Sequence, residues 1–594
     1  MWFSPLLLLG LSLAPAFGVA AVPNLSDVCT TTYIQSALPA DGFIQGITPS
    51  STSVTANPVT NYTLAAGSTN PSKTGLDFCN VTFSYTHAGR PVPVNLWFWL
   101  PSPSQFQNRF LATGGGGLAI TSGQRGLGPG LAHGAATATT DGGLGGWGSD
   151  LGRVVLRGGG GALDHDALQA FGHRAIHEMS VLGGELTRKF YGSAPEQRIF
   201  SYFHGCSEGG REGWSQVQRY GGQFDGVAVG APAFRQAFQQ VLHLFSAVVE
   251  NARGYYPPPC ELERIANDTI AACDGLDGRM DGVVGRTDLC KLRYDAGQSV
   301  GKPYSCDASA GSGGGAPPPT TMERRQFGGG GPRPAAQGTV TAEAAAVAKD
   351  IWKGVFDSQG RQVYVSFQPS ASFSDAATTF NASTGAYEAT VSGFGVQYVN
   401  LFLREVNSSS LSLANVTTDT LRGWMLEGMQ KFSDTLQTTW PDLEDFRDAG
   451  GKVIHYHGES DDSVPAASSV MYHDAVRRTM YPGAPANESY AALDDWYRLF
   501  LVPGAGHCGP SPLQPNGPFP QSVLQSLIDW VEEGVNPTRL NATVLSGPSE
   551  GEEQKLCSFP LRPQWNEEVM DCVYDQESID TWLPTLDSIP VPVY

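Results

Sequence analysis

Charge is scarce in this chain, and basic charge is scarcer still. Charged residues make up 16% of the sequence, with 37 Lys and Arg against 57 Asp and Glu, a formal net charge of −20 and a pI near 4.9. A surface so short of cations excludes the basic patches that nucleic acid and anionic membranes require. It suits a soluble protein in mildly acidic surroundings. Long apolar runs are lacking as well: no segment offers the roughly eighteen uninterrupted apolar residues of a membrane span. The N-terminal "MWFSPLLLLGLSLAPAFGVA" has only a short apolar run, Pro5 to Phe17, before Gly18-Val19-Ala20. That is the form of a secretory signal peptide, assigned here to residues 1–20.

What is present fits export. Nine N-x-[ST] sites follow the leader, at Asn24, Asn61, Asn80, Asn267, Asn381, Asn407, Asn415, Asn487 and Asn541. Ten cysteines, an even number, predict disulfides in an exported chain. At 594 residues the chain is longer than one hydrophobic core usually supports, which predicts two structural units.

Short apolar runs alternate with Gly-rich turns and helical stretches up to residue 232. "VNLWFWL" (94–100), "RFLAT" (109–113), "RIFSYFHG" (198–205) and "DGVAVGAP" (225–232) read as strands, and 166–192 reads as one helix. The pattern returns with "GKVIHYHG" and "YRLFLVPG" as strands, and helices over "AASSVMYHDAVRRTMY" and "SVLQSLIDWVEEG". Alternation of this kind predicts a parallel sheet covered on both faces. Residues 233–435 lack it and read as an inserted lid domain between core segments 21–232 and 436–594. Within the insert, 309–338 is too rich in Gly and Pro to bury a core and is expected to be an exposed, mobile loop. It carries Arg324-Arg325, a dibasic candidate for cleavage by a kexin-like processing protease. Arg477-Arg478 is also dibasic but falls in a predicted helix, where a protease engages poorly.

Gly205-Cys206-Ser207-Glu208-Gly209 fits G-x-S-x-G between a predicted strand and a predicted helix, the context of a nucleophile elbow. In that arrangement an acid and then a histidine follow the serine along the chain. His473 falls mid-helix and reads as a packed histidine, whereas His507 lies in the Gly-rich loop "VPGAGHCGP" after a strand. "VIHYHGESDDSVP" supplies Asp461, the favoured acid, and Asp462, the runner-up. Cys206 precedes the serine and Cys508 follows the histidine. A disulfide sets its two Cα atoms roughly 4.4–6.8 Å apart, so a Cys206–Cys508 bond would hold the base against the nucleophile.

G-C-S-x-G-G with a distant H-C resembles the fungal tannase and feruloyl esterase family, and the resemblance spans essentially the whole mature chain. "GCSEGGREGWSQVQRY", "YYPPPCEL", "RTDLCKL", "HYHGESDDSVPAASSV" and the closing "VPVY" look closer to its tannase branch. The resemblance implies an α/β-hydrolase fold with a large inserted lid and a triad of Ser207, Asp461 and His507. It also implies cleavage of galloyl esters of gallotannins and simple gallates through an acyl-enzyme, with small polyphenol esters as the binding partners. The alternative is a feruloyl or chlorogenate esterase; a glycan- or polyphenol-binding protein with a dead core is disfavoured by the complete triad.

"ACDGLDGRMDGVVG" (272–285) sets Asp274, Asp277 and Asp281 among glycines. Alone it fits an Asp-Gly turn as readily as a cation loop, and its spacing is not that of an EF-hand. The resemblance implies a structural Ca²⁺ here, with carbonyls of Arg279 and Val283 completing the ligands. Cys273 and Cys290 bracket this loop and are expected to close it; the remaining pairs expected are Cys29–Cys79, Cys557–Cys572 and, by elimination, Cys260–Cys306. "ATGGGGLAI" (112–120) resembles the glycine-rich loop that gives one oxyanion donor, leaving Gly114 to Gly117 open, with the N–H of Glu208 as the other. Seven cysteines precede Arg325 and three follow it. A chain cut there needs at least one bond across the cut, and that bond is expected to be Cys206–Cys508.

Overall fold

The computed structural model describes residues 22–145, 151–308 and 333–586. The leader and the Arg324-Arg325 pair lie outside the described residues. Nine strands form the main sheet: β1 (Ile47–Leu64), β2 (Lys73–His87), β3 (Arg90–Pro101), β4 (Arg109–Thr113), β5 (Ala135–Thr140), β6 (Phe200–Cys206), β7 (Gly226–Gly230), β8 (Lys452–Gly458) and β9 (Tyr497–Val502). Their order is β1-β2-β3-β5-β4-β6-β7-β8-β9. From β5 to β9 neighbouring strands are parallel.

Successive side chains on a strand face opposite sides of the sheet, and this sequence uses both sides. Phe203, Val227, Val453 and Leu499 join one buried cluster, while Tyr202, Ala228, Ile454 and Phe500 join another. Four helices bear on the site or the sheet: α1 (Ala175–Phe190), α2 (Glu208–Arg219), α3 (Ala466–Met480) and α4 (Val523–Glu533). Trp214 of α2 belongs to the first cluster and Leu527 of α4 to the second, so helices cover both faces. This is the α/β-hydrolase fold.

The sheet departs from the expected all-parallel form. β1, β2 and β3 run antiparallel, and β3 is antiparallel to β5. The β2–β3 connection is a tight hairpin closing at His87 opposite Arg90, too short for the crossover a parallel pair needs. β1 is missing from the sequence reading because it is mostly polar and exposed along its length. The predicted helix over 166–192 is interrupted: a turn of π-helix, Ala170–Arg174, precedes α1.

Between β7 and β8 the described residues add no strand to the main sheet. This insert nevertheless shares its buried cluster with the sheet, through Phe238, Val248, Ile351, Phe402 and Met425. Of the segment 309–338, expected to be a mobile loop, residues 309–332 lie outside the described residues and 336–338 belong to a strand. Ala336–Thr339 pairs antiparallel with Pro303–Cys306, placing Gly338 opposite Tyr304. A Cβ on Gly338 would stand 2.9 Å from the Tyr304 hydroxyl, so glycine here serves a close strand contact and not chain mobility. All ten cysteines are paired, in the five pairings expected: 29–79, 206–508, 260–306, 273–290 and 557–572. No helix among the described residues is long and apolar enough to cross a membrane.

Candidate active site

Ser207 stands at the carboxyl end of β6, where open α/β sheets place their ligands, and it caps α2. Its backbone has φ 63° and ψ −121°, a region that side-chain-bearing residues rarely adopt. The flanking glycines permit that turn. A Cβ on Gly205 would lie 2.6 Å from the Gly209 backbone, and one on Gly209 would lie 2.8 Å from the Gly115 carbonyl oxygen. The turn is held by Ser207 N–H donating to Gly230 O at 2.9 Å. Strain of this kind, fixed by its surroundings, is typical of a site kept for chemistry.

Asp461 and His507 follow the ends of β8 and β9, so three parallel strands deliver their side chains to one point. His507 Nδ1 donates to Asp461 Oδ2 at 2.7 Å, and its Nε2 accepts from Ser207 Oγ at 2.8 Å. Asp461 is buried, and its Oδ1 accepts from the N–H groups of Ser463 and Val464, both at 2.8 Å. Burial alone would raise its carboxyl; the facing His507 and His457 outweigh this and hold it well below the ordinary carboxylate range. Burial likewise pulls the His507 imidazole down. Asp461, helped by Asp462, overrides burial and holds His507 above the ordinary histidine value. The arrangement can therefore accept a proton at Nε2 and stabilise the imidazolium that results.

Of the two candidate acids, Asp461 reaches His507 and Asp462 does not. Asp462 turns the other way and accepts from the Ser372 hydroxyl of the insert. Cys206 and Cys508 are bonded with Cα atoms 6.0 Å apart, which ties the loop carrying His507 directly to the elbow. His473 is buried in α3, and neither of its ring nitrogens has a hydrogen-bond partner among the described residues.

One residue of the site escaped the sequence reading. His457, on β8, is fully buried with Nε2 facing two acceptors, Asp461 Oδ2 at 3.2 Å and Val464 O at 3.0 Å. Its Nδ1 lies 2.6 Å from Ser469 Oγ. These partners fix the proton on Nε2 and give Asp461 a fourth donor. Hydrogen bonds to a charged group contribute about 1.5–3 kcal/mol each, enough together to offset the cost of burying this carboxylate.

The glycine-rich loop after β4 packs on the first turn of α2. Gly209 N–H donates to Gly115 O at 3.1 Å, and Gly115 N–H donates to Glu212 Oε2 at 2.8 Å. Burial, and then the neighbouring Glu208, push the Glu212 carboxyl well up. Gly114 N–H reaches His204 O and Gly116 N–H reaches Ala119 O. The donors at 114, 115 and 116 are thus engaged by the scaffold. Glu208 N–H, by contrast, has no acceptor among the described residues. The Glu208 side chain is buried against Arg211 at 2.6 Å, and Arg211 also donates to the carbonyls of Phe171 and Gly172 on the π-turn. The interruption of the predicted helix therefore anchors the helix that carries the elbow.

The Asp274–Val283 loop folds on its own backbone. Asp274 Oδ1 accepts from the N–H groups of Asp281 and Gly282, each at 3.0 Å, and Asp277 Oδ1 accepts from Arg279 N–H at 3.0 Å. The Arg279 side chain pairs with Asp281 and Glu552. Burial, with Asp281 and Asp274 adding, pushes the Asp277 carboxyl up to about 7. Among the described residues no three acidic, histidine or cysteine side chains converge as metal ligands do.

Comparison with known proteins bears on the whole chain. Residues 79–579 match the profile of the family described as tannase and feruloyl esterase. A tannase of Aspergillus oryzae is 46% identical over 582 residues, covering 97% of each chain. A probable feruloyl esterase of Arthroderma benhamiae is 30% identical over 499 residues, 83% of this chain and 84% of that one. The solved structure of tannin acyl hydrolase from Aspergillus niger superposes with a TM-score of 0.90 at 49% identity, over 97% of this chain and 100% of the other. Feruloyl esterase B from Aspergillus oryzae, at 24% identity and a TM-score of 0.66 over 91% of this chain and 100% of the other, shares the fold. From the profile match and these identities, this chain belongs to the tannase and feruloyl esterase family.

Proposed function

We propose that this chain is a secreted serine esterase that hydrolyses galloyl esters, gallotannins and simple gallates alike, to release gallic acid. The observation that carries the reading is the Ser207–His507–Asp461 relay, with contacts of 2.8 and 2.7 Å, in a chain 46% identical to a tannase along nearly its full length. Ser207 Oγ attacks the ester carbonyl while His507 Nε2 takes its proton, and Asp461 orients the imidazole and stabilises its charge. The Glu208 N–H donates to the oxyanion. His507 returns the proton to the departing alcohol, then draws one from water, which attacks the acyl-enzyme and frees the acid. Side-by-side turnover of methyl gallate and methyl ferulate tests this. Preference for methyl gallate is expected; preference for methyl ferulate would make the chain a feruloyl esterase instead.

Three further parts of the proposal concern the mature protein. Export is supported by the leader, by five disulfides, and by sequon asparagines of which seven, all but Asn80 and Asn381, are exposed. Calcium binding in the Asp274–Val283 loop is supported by its chemistry. It offers three hard carboxylates, two of them buried, which do not converge in this structure and would have to draw together around the ion. Asp274, Asp277, Asp281 and the carbonyls of Arg279 and Val283 would hold the ion, whose role is to stiffen this loop. Cleavage after Arg325 would leave two chains joined by Cys206–Cys508, with Ser207 on one and Asp461 and His507 on the other. Such an enzyme runs as one band on a denaturing gel without reductant and as two with it; a single reduced band would show an uncut chain.

A further inference from the structure

The relay explains bond cleavage but not what the site recognises. A cavity of about 330 Å³ opens beside His507, lined on the core side by Asp462 and Ser463 and on the insert side by His243, Asp375 and Phe394. Its size suits one substituted ring, at the small end of ligand pockets. From this cavity we infer that Asp375 and Asp462 form an acceptor pair that binds the ring hydroxyls of the acyl group, with Phe394 as its apolar wall. This rests on the galloyl-ester reading and names the residues that make it selective.

The hydrogen bonding of the lining leads to that assignment. His243 Nδ1 lies 2.7 Å from Asp375 Oδ2, and Gln239 Nε2 lies 2.7 Å from His243 Nε2. Gln239 Nε2 donates, so His243 Nε2 must accept and His243 Nδ1 must carry the proton. His243 thereby gives its Nδ1–H to one oxygen of Asp375. The other oxygen, Oδ1, accepts from no described residue. Asp462 is placed in the same way: Ser372 donates to its Oδ2, the Ser374 hydroxyl reaches its carbonyl at 3.2 Å, and its Oδ1 accepts from no described residue. Two carboxylates thus present unmet acceptors to one small space whose lining, among the described residues, holds no lysine or arginine.

Such a space repels an anion and rewards a neutral ligand rich in O–H donors. Phe394 stacks on His243 with centroids 5.0 Å apart, leaving an aromatic surface in the lining. A trihydroxybenzoyl ring supplies both features. The alcohol side of a gallotannin, a sugar bearing several acyl groups, is too bulky for 330 Å³ and stays in solvent. Methylating the ring hydroxyls removes the donors while keeping the ring, which makes the methoxy analogue the discriminating ligand. An unmet buried acceptor is penalised far more than a met one is rewarded, so this kind of site rejects analogues strongly.

Binding to the Ser207→Ala variant tests this without turnover. Titration calorimetry with methyl gallate and methyl 3,4,5-trimethoxybenzoate should give at least about tenfold tighter binding of the gallate. Adding Asp375→Asn or Asp462→Asn should each weaken the gallate about tenfold and so shrink that ratio toward one. Equal binding of the two esters before either change would overturn the assignment. So would equal weakening of both esters by each carboxylate variant, or no change in either variant. Turnover of methyl gallate by the unmodified enzyme separates the two levels: failure there sinks the activity, whereas failure of the binding ratio alone sinks only the acceptor pair.

Discussion

The two walls of the active-site cleft are built in opposite ways. On the core wall every reacting group lies within a few residues of the end of a parallel strand, and the strands β6, β8 and β9 deliver Ser207, Asp461 and His507 in chain order. On the insert wall, His243, Asp375 and Phe394 come from three separated segments without a common motif. The core wall is locked by a disulfide, by backbone donors to Asp461 and by the π-turn carbonyls on Arg211. The insert wall is joined to it chiefly through side chains, such as Ser372 on Asp462 and Gln239 on the Ser463 carbonyl. Chemistry is placed by backbone, and recognition by packing.

The sharpest break in this comparison is the nucleophile. Ser207→Ala should lower kcat/KM for every ester by about 10⁴-fold or more while the melting temperature holds; near-normal turnover on any ester would undo the core assignment. Next come the adjacent acids. Asp461→Asn should cost about 10³- to 10⁴-fold, because the imidazole loses its orienting partner. Asp462→Asn should cost about tenfold and on gallates more than on ring-unsubstituted esters. It should also move the acid limb of the kcat/KM profile to lower pH. One carboxylate that favours the imidazolium is gone, so His507 becomes neutral, and active, at lower pH than before. The reverse ranking would exchange the roles of the two acids.

A smaller effect follows for the disulfide. Replacing Cys206 and Cys508 by alanine should lower activity about 10²-fold at temperatures well below melting, since a slightly misplaced base is enough for that loss. Loss of stability with full activity in the folded fraction would make the bond a plain cross-link. Smallest is the acidic loop, which lies outside the cleft. Chelation should lower the melting temperature by a few degrees and leave turnover at moderate temperature within about twofold, because a ligand bound only by the folded state stabilises by mass action. Immediate loss of turnover at constant stability would place the metal in the reaction.

The same contrast explains what could be read from sequence. Gly205-x-Ser207-x-Gly209 announces its geometry because a close backbone crossing demands glycine, and the cysteines beside Ser207 and His507 mark the pairing of distant loops. The strands β6 to β9 and the helices α2 to α4 follow from plain periodicity. His457 was illegible, since a histidine in a buried strand has no local signature and becomes meaningful only when Asp461 is seen 3.2 Å away. The polar strand β1 and the all-small β5 hid because neither alternates clearly between apolar and polar. Asp375 and Phe394 were illegible for a different reason: only tertiary packing brings them near His243.

The central claim is that one serine, activated by His507, carries all the ester hydrolysis. Titrating the enzyme with a fluorophosphonate, mapping the label by peptide mass and assaying methyl gallate at each step tests it directly. The account predicts that activity falls in proportion to label on the peptide containing Ser207 and reaches zero at one label per chain. Hydrolysis that persists when that peptide is fully labelled, or inactivation with the label on another residue, would contradict it.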